Sequence, residues 1–572
     1  MKKTLLLGAA AIVAASAWAD MPAIYENIQI LGLSPDGKTA VSESTGTLTL
    51  VNLITGTKTD YVGDEGNGYS PGQGRPFADD GMLVGTSPEG ASYLKDGQWH
   101  TLKVPHPEFG SYAQAVTPDG SVIVGIVGMA KMSTDDADVP MQVPAIWTRN
   151  ADGTYSECQI LPYPDKDFSG RVPQYVTAYT VSDDGNLIVG QIVDYSGSMT
   201  SIVYYTRDNS GKWAYNNSLN KLCNPDGLEF PADPGEAPQA PMWEDFMTAE
   251  EIAAYNAAVE EWMAAGTWDY STYPEYKDYA SEAEQEAYNT AYAEWEAAFS
   301  EWNKKFTAFN EVLYKCFADG IPVMMNNIYL SSDLKSVVST TAVTYEDPNS
   351  WTGVSSAYSP ITINLETADY DIKPIANVVV SSMSADGTLF GWMQDEYGSR
   401  QARVYTPGAT EAVSLYDYYL QYAPGTAAWI KENMYHDTEL YDWESDSWVP
   451  AYDLEFTGTP HVTPDLQVIA TAVANVWNAD APVDIYSYVL PGTYAGVEGV
   501  ADDAADNLKV SVFKGGRIVI EGDADTVTVF DADGRVMFNA SAADVIETGL
   551  ASGAYIIKVT SANGVKTVKA MF

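Results

Sequence analysis

The chain has 572 residues, 78 of them acidic and 30 basic, for a net charge of −48. That balance excludes nucleic acid as the main partner, because phosphate recognition needs a basic footprint, and it excludes docking on anionic lipid. Intrinsic disorder is excluded too: 46% of residues are hydrophobic and only 19% charged, so a large core can form, in up to about four domains by length.

The N-terminus predicts a secretory signal over residues 1–19. Lys2 and Lys3 precede an apolar run at 5–15, and Ala17-Trp18-Ala19 before Asp20 is a small-x-small cleavage site. No cysteine follows the site, so no lipid anchor is expected. No later stretch approaches the ~20 apolar residues of a membrane span. Cys158, Cys223 and Cys316 are too few and too far apart for a disulfide framework, although one bridge is possible. His100, His106, His436 and His461 are scattered, without zinc-ligand spacing.

Between residues 27 and 493 a unit recurs seven times: a small residue, any residue, Asp, usually Gly, then a β-rich run. Its copies begin at Ser34, Ala78, Thr117, Ser182, Ser331, Ser384 and Thr463, with the aspartates at Asp36, Asp80, Asp119, Asp184, Asp333, Asp386 and Asp465. Asp-Gly makes the tight turn, and the run after it reads as a buried strand. A second strand follows in each unit, with Trp147, Tyr205 and Tyr405 in equivalent places. An Asp recurring at a turn reads as structural, not as a ligand. The Asp-to-Asp steps are 44, 39, 65, 149, 53 and 79 residues. The short steps fit one four-stranded blade each. The expected fold is mainly β: a β-propeller over 20–495 with seven blades, six or eight being the alternatives. Residues 31–56 resemble the WD40-like S-P-D-G-K blade repeats of periplasmic and extracellular propellers. Later units resemble the S-x-D-G-x-x-x-V-G repeats of exported propeller proteins. These resemblances imply a fold, not an activity.

Two insertions break the period. The larger, 226–321, opens with Pro231, Pro234, Pro238 and Pro241. Thr248…Glu251 and Ser281…Glu284 are capping boxes. The second helix carries Tyr288, Tyr292, Trp295, Phe299, Trp302, Phe306, Phe309 and Leu313 in steps of 4 and 3, a heptad seam. The first offers Ile252, Tyr255, Val259, Trp262 and Met263. The expectation is an antiparallel helical hairpin whose core is the seam. Because the first helix is shorter, aromatics near Phe306 and Phe309 must face the propeller or a partner. Residues 241–320 hold 17 acids and four lysines, so the hairpin projects negative charge. The smaller insertion, 414–457, predicts helices over 414–421 and 426–434. Trp443 and Trp448 beside carboxylates are candidate sugar contacts, although loop Trp more often pack beneath their own loop.

No catalytic constellation stands out. Gly68-Tyr-Ser70-Pro-Gly72 matches G-x-S-x-G, but Pro71 lacks the N–H that an oxyanion hole needs. Asp135, Asp136 and Asp138 form an acidic loop that calcium would tolerate, though the EF-hand spacing is absent. No other metal, and no cofactor, is expected.

Residues 496–507 read as a linker. Beyond it, 508–572 predict short strands at 508–513, 517–521, 526–530, 535–538, 554–560 and 565–571, a small Ig-like antiparallel sandwich. The stretches VTVFDADGRVMF (527–538) and GLASGAYIIKVTSANGVKTVKAMF (549–572) resemble the C-terminal sorting domain of the type IX secretion system. Gly534, Arg535, Gly553, Tyr555, Lys558, Gly564 and Lys569 fall where that family expects them. A final Met-Phe replaces its commoner ending. The resemblance implies export through the periplasm by that machinery, then release or surface attachment.

The function expected from these features is a secreted or surface-displayed binding protein that takes a glycan or protein. The alternatives are a propeller enzyme acting on extracellular polysaccharide or peptide, and a structural component of the cell envelope.

Overall fold

A computed structural model describes residues 22–571 apart from 64–66, 130–140, 174, 195–198, 267–269, 325–326, 332, 347–353, 374–377, 385–386, 395–399, 435–438, 443–446, 451–454, 465, 475–484, 493–508, 514–516, 522–523, 532–535, 544, 551–553 and 562–563. The expected signal, the loop of Asp135, Asp136 and Asp138, and the whole linker lie outside the described residues.

The molecule is mainly β, built from antiparallel sheets of consecutive strands. Seven sheets, I to VII, span 30–61, 70–101, 111–160, 175–216, 329–372, 379–414 and 461–491. Six have four strands, and sheet IV has five because two short pieces share its first position. Sheet VII has only three strands of its own. Its fourth is β1 (Ala23–Glu26), which pairs with Tyr486–Val489. The sequence did not lead us to expect this closure.

One apolar cluster fills each gap between consecutive sheets. Val41 and Leu48 of sheet I meet Leu83 and Leu94 of sheet II. Val84 and Tyr93 meet Ile123 and Trp147, and Val124 and Ile146 meet Ile188 and Tyr205. Val189 and Ile202 meet Val337 and Ile361, Val338 meets Val380 and Tyr405, and Phe390 and Val404 meet Ile469 and Tyr488. The last gap brings Val468 and Val489 of sheet VII against Ile30 and Val51 of sheet I. The sheets therefore close on themselves. This packing explains why the second strands are apolar without alternation. In Val122–Met129, Ile123 faces sheet II while Val124 faces sheet IV, so both faces are buried.

Each turn motif joins the first and second strands of its sheet. The small residue's hydroxyl donates to the Asp carboxylate at Ser34–Asp36, Thr117–Asp119, Ser182–Asp184 and Ser331–Asp333, at 2.6 to 2.7 Å. The same hydroxyl accepts the backbone N–H five residues on, as from Val122 and Leu187. The fourth position takes a left-handed conformation, at φ 69° for Gly120 and 70° for Gly185, which glycine adopts without strain.

The larger insertion holds α1 (Ala249–Ala265) and α2 (Glu282–Asp319). Both expected capping boxes are made, by Thr248 with Glu251 and by Ser281 with Glu284. The smaller insertion holds α3 (Leu415–Tyr422) and α4 (Pro424–Asn433). Leu415, Tyr419, Ala427 and Ile430 bury in the gap between sheets VI and VII, and the Tyr419 hydroxyl donates to Pro491 O.

The C-terminal strands form a three-stranded and a four-stranded sheet. Ile518, Val527, Val529, Ile546 and Ile557, drawn from both, make one core. The strand Val545–Glu547 was not expected from the sequence.

Candidate functional site

Asp386 and Asp465 lie outside the described residues; the other five turn aspartates are engaged by neighbouring donors. Side-chain hydrogen bonds from Ser121, Ser182 and Ser331 lead the interactions that hold Asp119, Asp184 and Asp333 below the usual carboxylate range. At Asp36 and Asp80 desolvation opposes the shift, but bonds from Ser34, Lys38 and Lys95 outweigh it. Carboxylates stabilised this way serve the backbone and are poor general bases. Ser70, in the G-x-S-x-G match, lies on a two-residue strand paired with the strand Leu83–Ser87.

His461 stands apart from the other histidines. It lies on the first strand of sheet VII, opposite Ala470. The residue keeps some exposure, but its Nε2 is enclosed and has no hydrogen-bond partner among the described residues. Burial pushes its pKa down from 6.5 to about 4, so the imidazole is neutral at pH 7. The unfolded chain takes up this proton near pH 6.5 and the folded chain only near 4. The neutral imidazole therefore costs folding nothing above pH 6.5, and stability falls as pH drops through that window. At about 1.4 kcal/mol per pKa unit, the loss at pH 4 is roughly 3 kcal/mol. His461→Gln is expected to flatten this part of the stability profile, as read by urea unfolding between pH 4.5 and 7. Parallel profiles for the two proteins would refute it.

The larger insertion carries the most distinctive surface. Along α2 the rings of Tyr288, Tyr292, Trp295, Phe299, Trp302 and Phe306 form a ladder, with successive centroids 5.9, 5.1, 5.2, 5.6 and 4.7 Å apart. The expected antiparallel hairpin is not what covers it. The face of α1 is covered by the segment that follows it. Tyr255 stacks on Tyr276 at 3.8 Å, and Trp262 meets Tyr273 edge-on at 5.0 Å.

The ladder is met instead by the proline-rich segment. Trp295 Nε1–H donates to Pro238 O and Trp302 Nε1–H to Gly235 O, both at 2.9 Å. Trp243 stacks on Tyr288 at 3.8 Å. The reason is hydrogen-bonding supply. An indole N–H needs a free acceptor. Helix carbonyls are committed to their own ladder, whereas an extended proline-rich segment leaves its carbonyls available.

The base of α2 is anchored in the body. Phe309 is 3% exposed, packed 5.0 Å from Phe230 with the Arg171 guanidinium 4.0 Å over its ring. Arg171 also pairs with Asp233. Leu313 is buried, and Cys316 shares a cluster with Cys223 and Met199. Phe306 is 39% exposed and Tyr292 41%. Of the two candidate contacts on this helix, Phe309 therefore serves as anchor and Phe306 remains available.

Trp443 lies outside the described residues, and Trp448 sits on the strand Ser447–Pro450, opposite Tyr441. The three cysteines are free thiols. Of the sorting-motif residues, Tyr555 and Lys558 lie on the strand Ala554–Ser561, and Gly564 and Lys569 on Gly564–Met571. Gly534, Arg535 and Gly553 lie outside the described residues. A cavity of about 620 Å³ opens beside β1, lined by Tyr25, Glu26, Lys58, Glu432 and Tyr486 among others. No helix among the described residues is long and apolar enough to cross a membrane.

No family model matches the chain, and no curated protein matches it. Among solved structures it is similar to a puromycin-hydrolyzing peptidase of Mycobacterium tuberculosis, with 10% identity, a TM-score of 0.39, and 93% of this chain and 58% of that one covered. The chain thus spans little more than half the length of that peptidase. It is similar to a periplasmic gluconolactonase of Pseudomonas aeruginosa, with 10% identity, a TM-score of 0.28 and coverages of 96% and 99%. A third is the β-propeller domain of the trilobed protease from Pyrococcus furiosus, with 7% identity, a TM-score of 0.25 and 92% of each chain covered. At these scores none of the likenesses carries an argument. The class of the protein is defined by its own pairing: a mainly β chain of antiparallel sheets, mostly four-stranded, that close on one another.

Proposed function

We propose that the chain is an extracellular, non-catalytic binding protein: a seven-bladed β-propeller that carries its partner-docking element as the inserted α2 ladder. The carrying observation is that ladder. Its rings form a row on an acidic helix and are half-exposed, met by a proline-rich segment and by Trp243 just beyond it. Stacked aromatics with exposed faces give area and specificity to both sugars and peptides. The seven clusters between sheets support the blade count. Residues 1–19 and the Ig-like sandwich at 508–572 support export through the periplasm by the type IX machinery, followed by release or surface display. No nucleic acid, membrane span or cofactor enters this reading.

A glycan and protein screen of the mature chain, beside a copy with residues 236–303 excised, tests it. The flanks of the excision lie side by side because Trp302 bonds to Gly235, so a short Gly-Ser bridge closes it. A partner bound by the intact chain and lost with the excision is the expected result. A partner bound equally by both copies would move the site to the propeller. The enzyme reading draws on one observation, the neutral His461 imidazole whose buried Nε2 has no hydrogen-bond partner among the described residues. Turnover of a polysaccharide or peptide that His461→Gln abolishes would establish it instead.

A further inference from the structure

The way α2 is covered names the chemistry of its ligand. The contacts follow a shared period. Trp295 and Trp302 are seven residues apart, two helical turns, or about 10.5 Å. Their acceptors, Pro238 and Gly235, are three residues apart, which in extended chain spans about 9 to 10 Å. The segment runs antiparallel to the helix, and ring contacts extend the line in both directions, each five residues further along the segment. One heptad toward the N-terminus, Tyr288 meets Trp243 just past Pro241. One heptad toward the C-terminus, Phe309 meets Phe230 just before Pro231. Indole N–H groups bonded to the carbonyls of a proline-spaced segment across an aromatic surface are the recognition chemistry of proline-rich peptides. The segment fits imperfectly. It breaks to φ 68° at Gly235, and it carries Asp233 and Glu236 against a helix that is itself strongly acidic. The Arg171–Asp233 pair at the base is the one ion pair the described residues give it.

We propose that the α2 ladder is a binding site for a basic, proline-rich extended peptide, and that residues 231–241 occupy it in cis as a displaceable strap. The proposal rests on the reading of this chain as a binding protein and names the partner class of that same site. A trans peptide must displace a strap tethered at both ends, which competes at an effective concentration of roughly millimolar. Lysines in place of Glu236 and Gln239 turn repulsion from the helix into attraction while Asp233 keeps its Arg171 partner, and salt weakens that attraction.

The test uses the full mature chain and a fluorescein-labelled synthetic peptide of the 231–241 sequence with Lys in place of Glu236 and Gln239. Anisotropy is measured at low and at high salt. Three proteins are compared: wild type, a strap variant with Pro231, Pro234, Pro238 and Pro241 each replaced by Ser, and that variant with Trp295→Phe and Trp302→Phe added. The strap variant is expected to bind roughly tenfold or more tightly than wild type, and salt is expected to weaken it. The two Phe substitutions keep an aromatic ring at each position but remove the N–H donors and part of the stacking face, and are expected to cost most of the gain. Circular dichroism of all three checks that α2 persists. Equal affinity for wild type and strap variant, no binding by either, or binding indifferent to the Trp substitutions each overturns the proposal. A partner captured through the insertion that this peptide does not displace would leave the binding function standing and sink this inference alone.

Discussion

Gly190→Ala is expected to lower stability by about 3 kcal/mol or more, near the top of the range for overpacking. Gly190 sits mid-strand in Leu187–Val193, where the Cβ of any other residue would lie 1.7 Å from Thr177 O. That contact is with backbone, which no side-chain rotation relieves. The cause is an irregular first strand. Between its two short pieces the chain lifts out, Thr177 N–H donates to Gln191 O, and Thr177 Oγ1 accepts Gln191 N–H. The Thr177 carbonyl is thereby turned onto the neighbouring strand. The same crowding recurs at Gly85 against Ser70 O, Gly125 against Tyr112 O and Gly391 against Val379 O, at 2.0 to 2.1 Å. The equivalent places in sheets I, V and VII hold Ser42, Ser339 and Thr471, all small hydroxyl residues and all buried. Gly81→Ala is the control. Gly81 has φ 83° and nothing within 4 Å of an added Cβ, so only the left-handed penalty of about 1–2 kcal/mol applies. Urea unfolding ranks the two. If Gly81→Ala proves as damaging as Gly190→Ala, the carbonyl crowding is not what fixes this glycine.

The sequence displayed those glycines as part of a repeat, but not their reason, because a first-strand bulge leaves no local signature. Other features were local and therefore readable. Asp119 and Asp184 turn the chain with hydroxyls two residues upstream, a pattern written within five residues. Trp147, Tyr205 and Tyr405 occur at one position of the third strand, and each is buried toward the preceding sheet. The capping boxes at Thr248 and Ser281 were legible for the same reason. The partner of the α2 seam was not. A heptad of rings announces that something apolar will cover it, and the nearest helix is the natural candidate. What decides between a helix and an extended strap is where the indole N–H groups find acceptors, and that depends on segments 57 and 67 residues away. Closure by β1 was hidden likewise, since four residues at one end gave no sign of pairing with a strand more than 450 residues later.

That closure carries the other large prediction. Deleting residues 20–27 removes the whole outer strand of sheet VII, in which Ala23 pairs with Val489, Ile24 with Tyr488, Tyr25 with Ser487 and Glu26 with Tyr486. The Asn27 N–H bond to Ile485 O goes too. At about 1 kcal/mol net for each backbone hydrogen bond, the loss is on the order of 4 kcal/mol. The strand Ile485–Pro491 then presents an unpaired edge, a template for pairing with another chain. The truncated protein is therefore expected to unfold at lower urea and to self-associate, which light scattering reads directly. Much of what remains still favours a closed ring. Ile28 and Ile30 stay in the cluster between sheets VII and I, and Ser487 Oγ still donates to Ile28 O. A synthetic peptide of residues 20–27, supplied in trans, should thus add itself to the vacant edge as a strand. It should restore the urea midpoint in proportion to its concentration and suppress association. A peptide with Tyr25→Pro lacks a backbone donor at a hydrogen-bonded position of the pairing register and should rescue neither. Truncation that leaves midpoint and scattering unchanged would mean that the ring holds without its latch, with its stability residing in the seven apolar gaps alone.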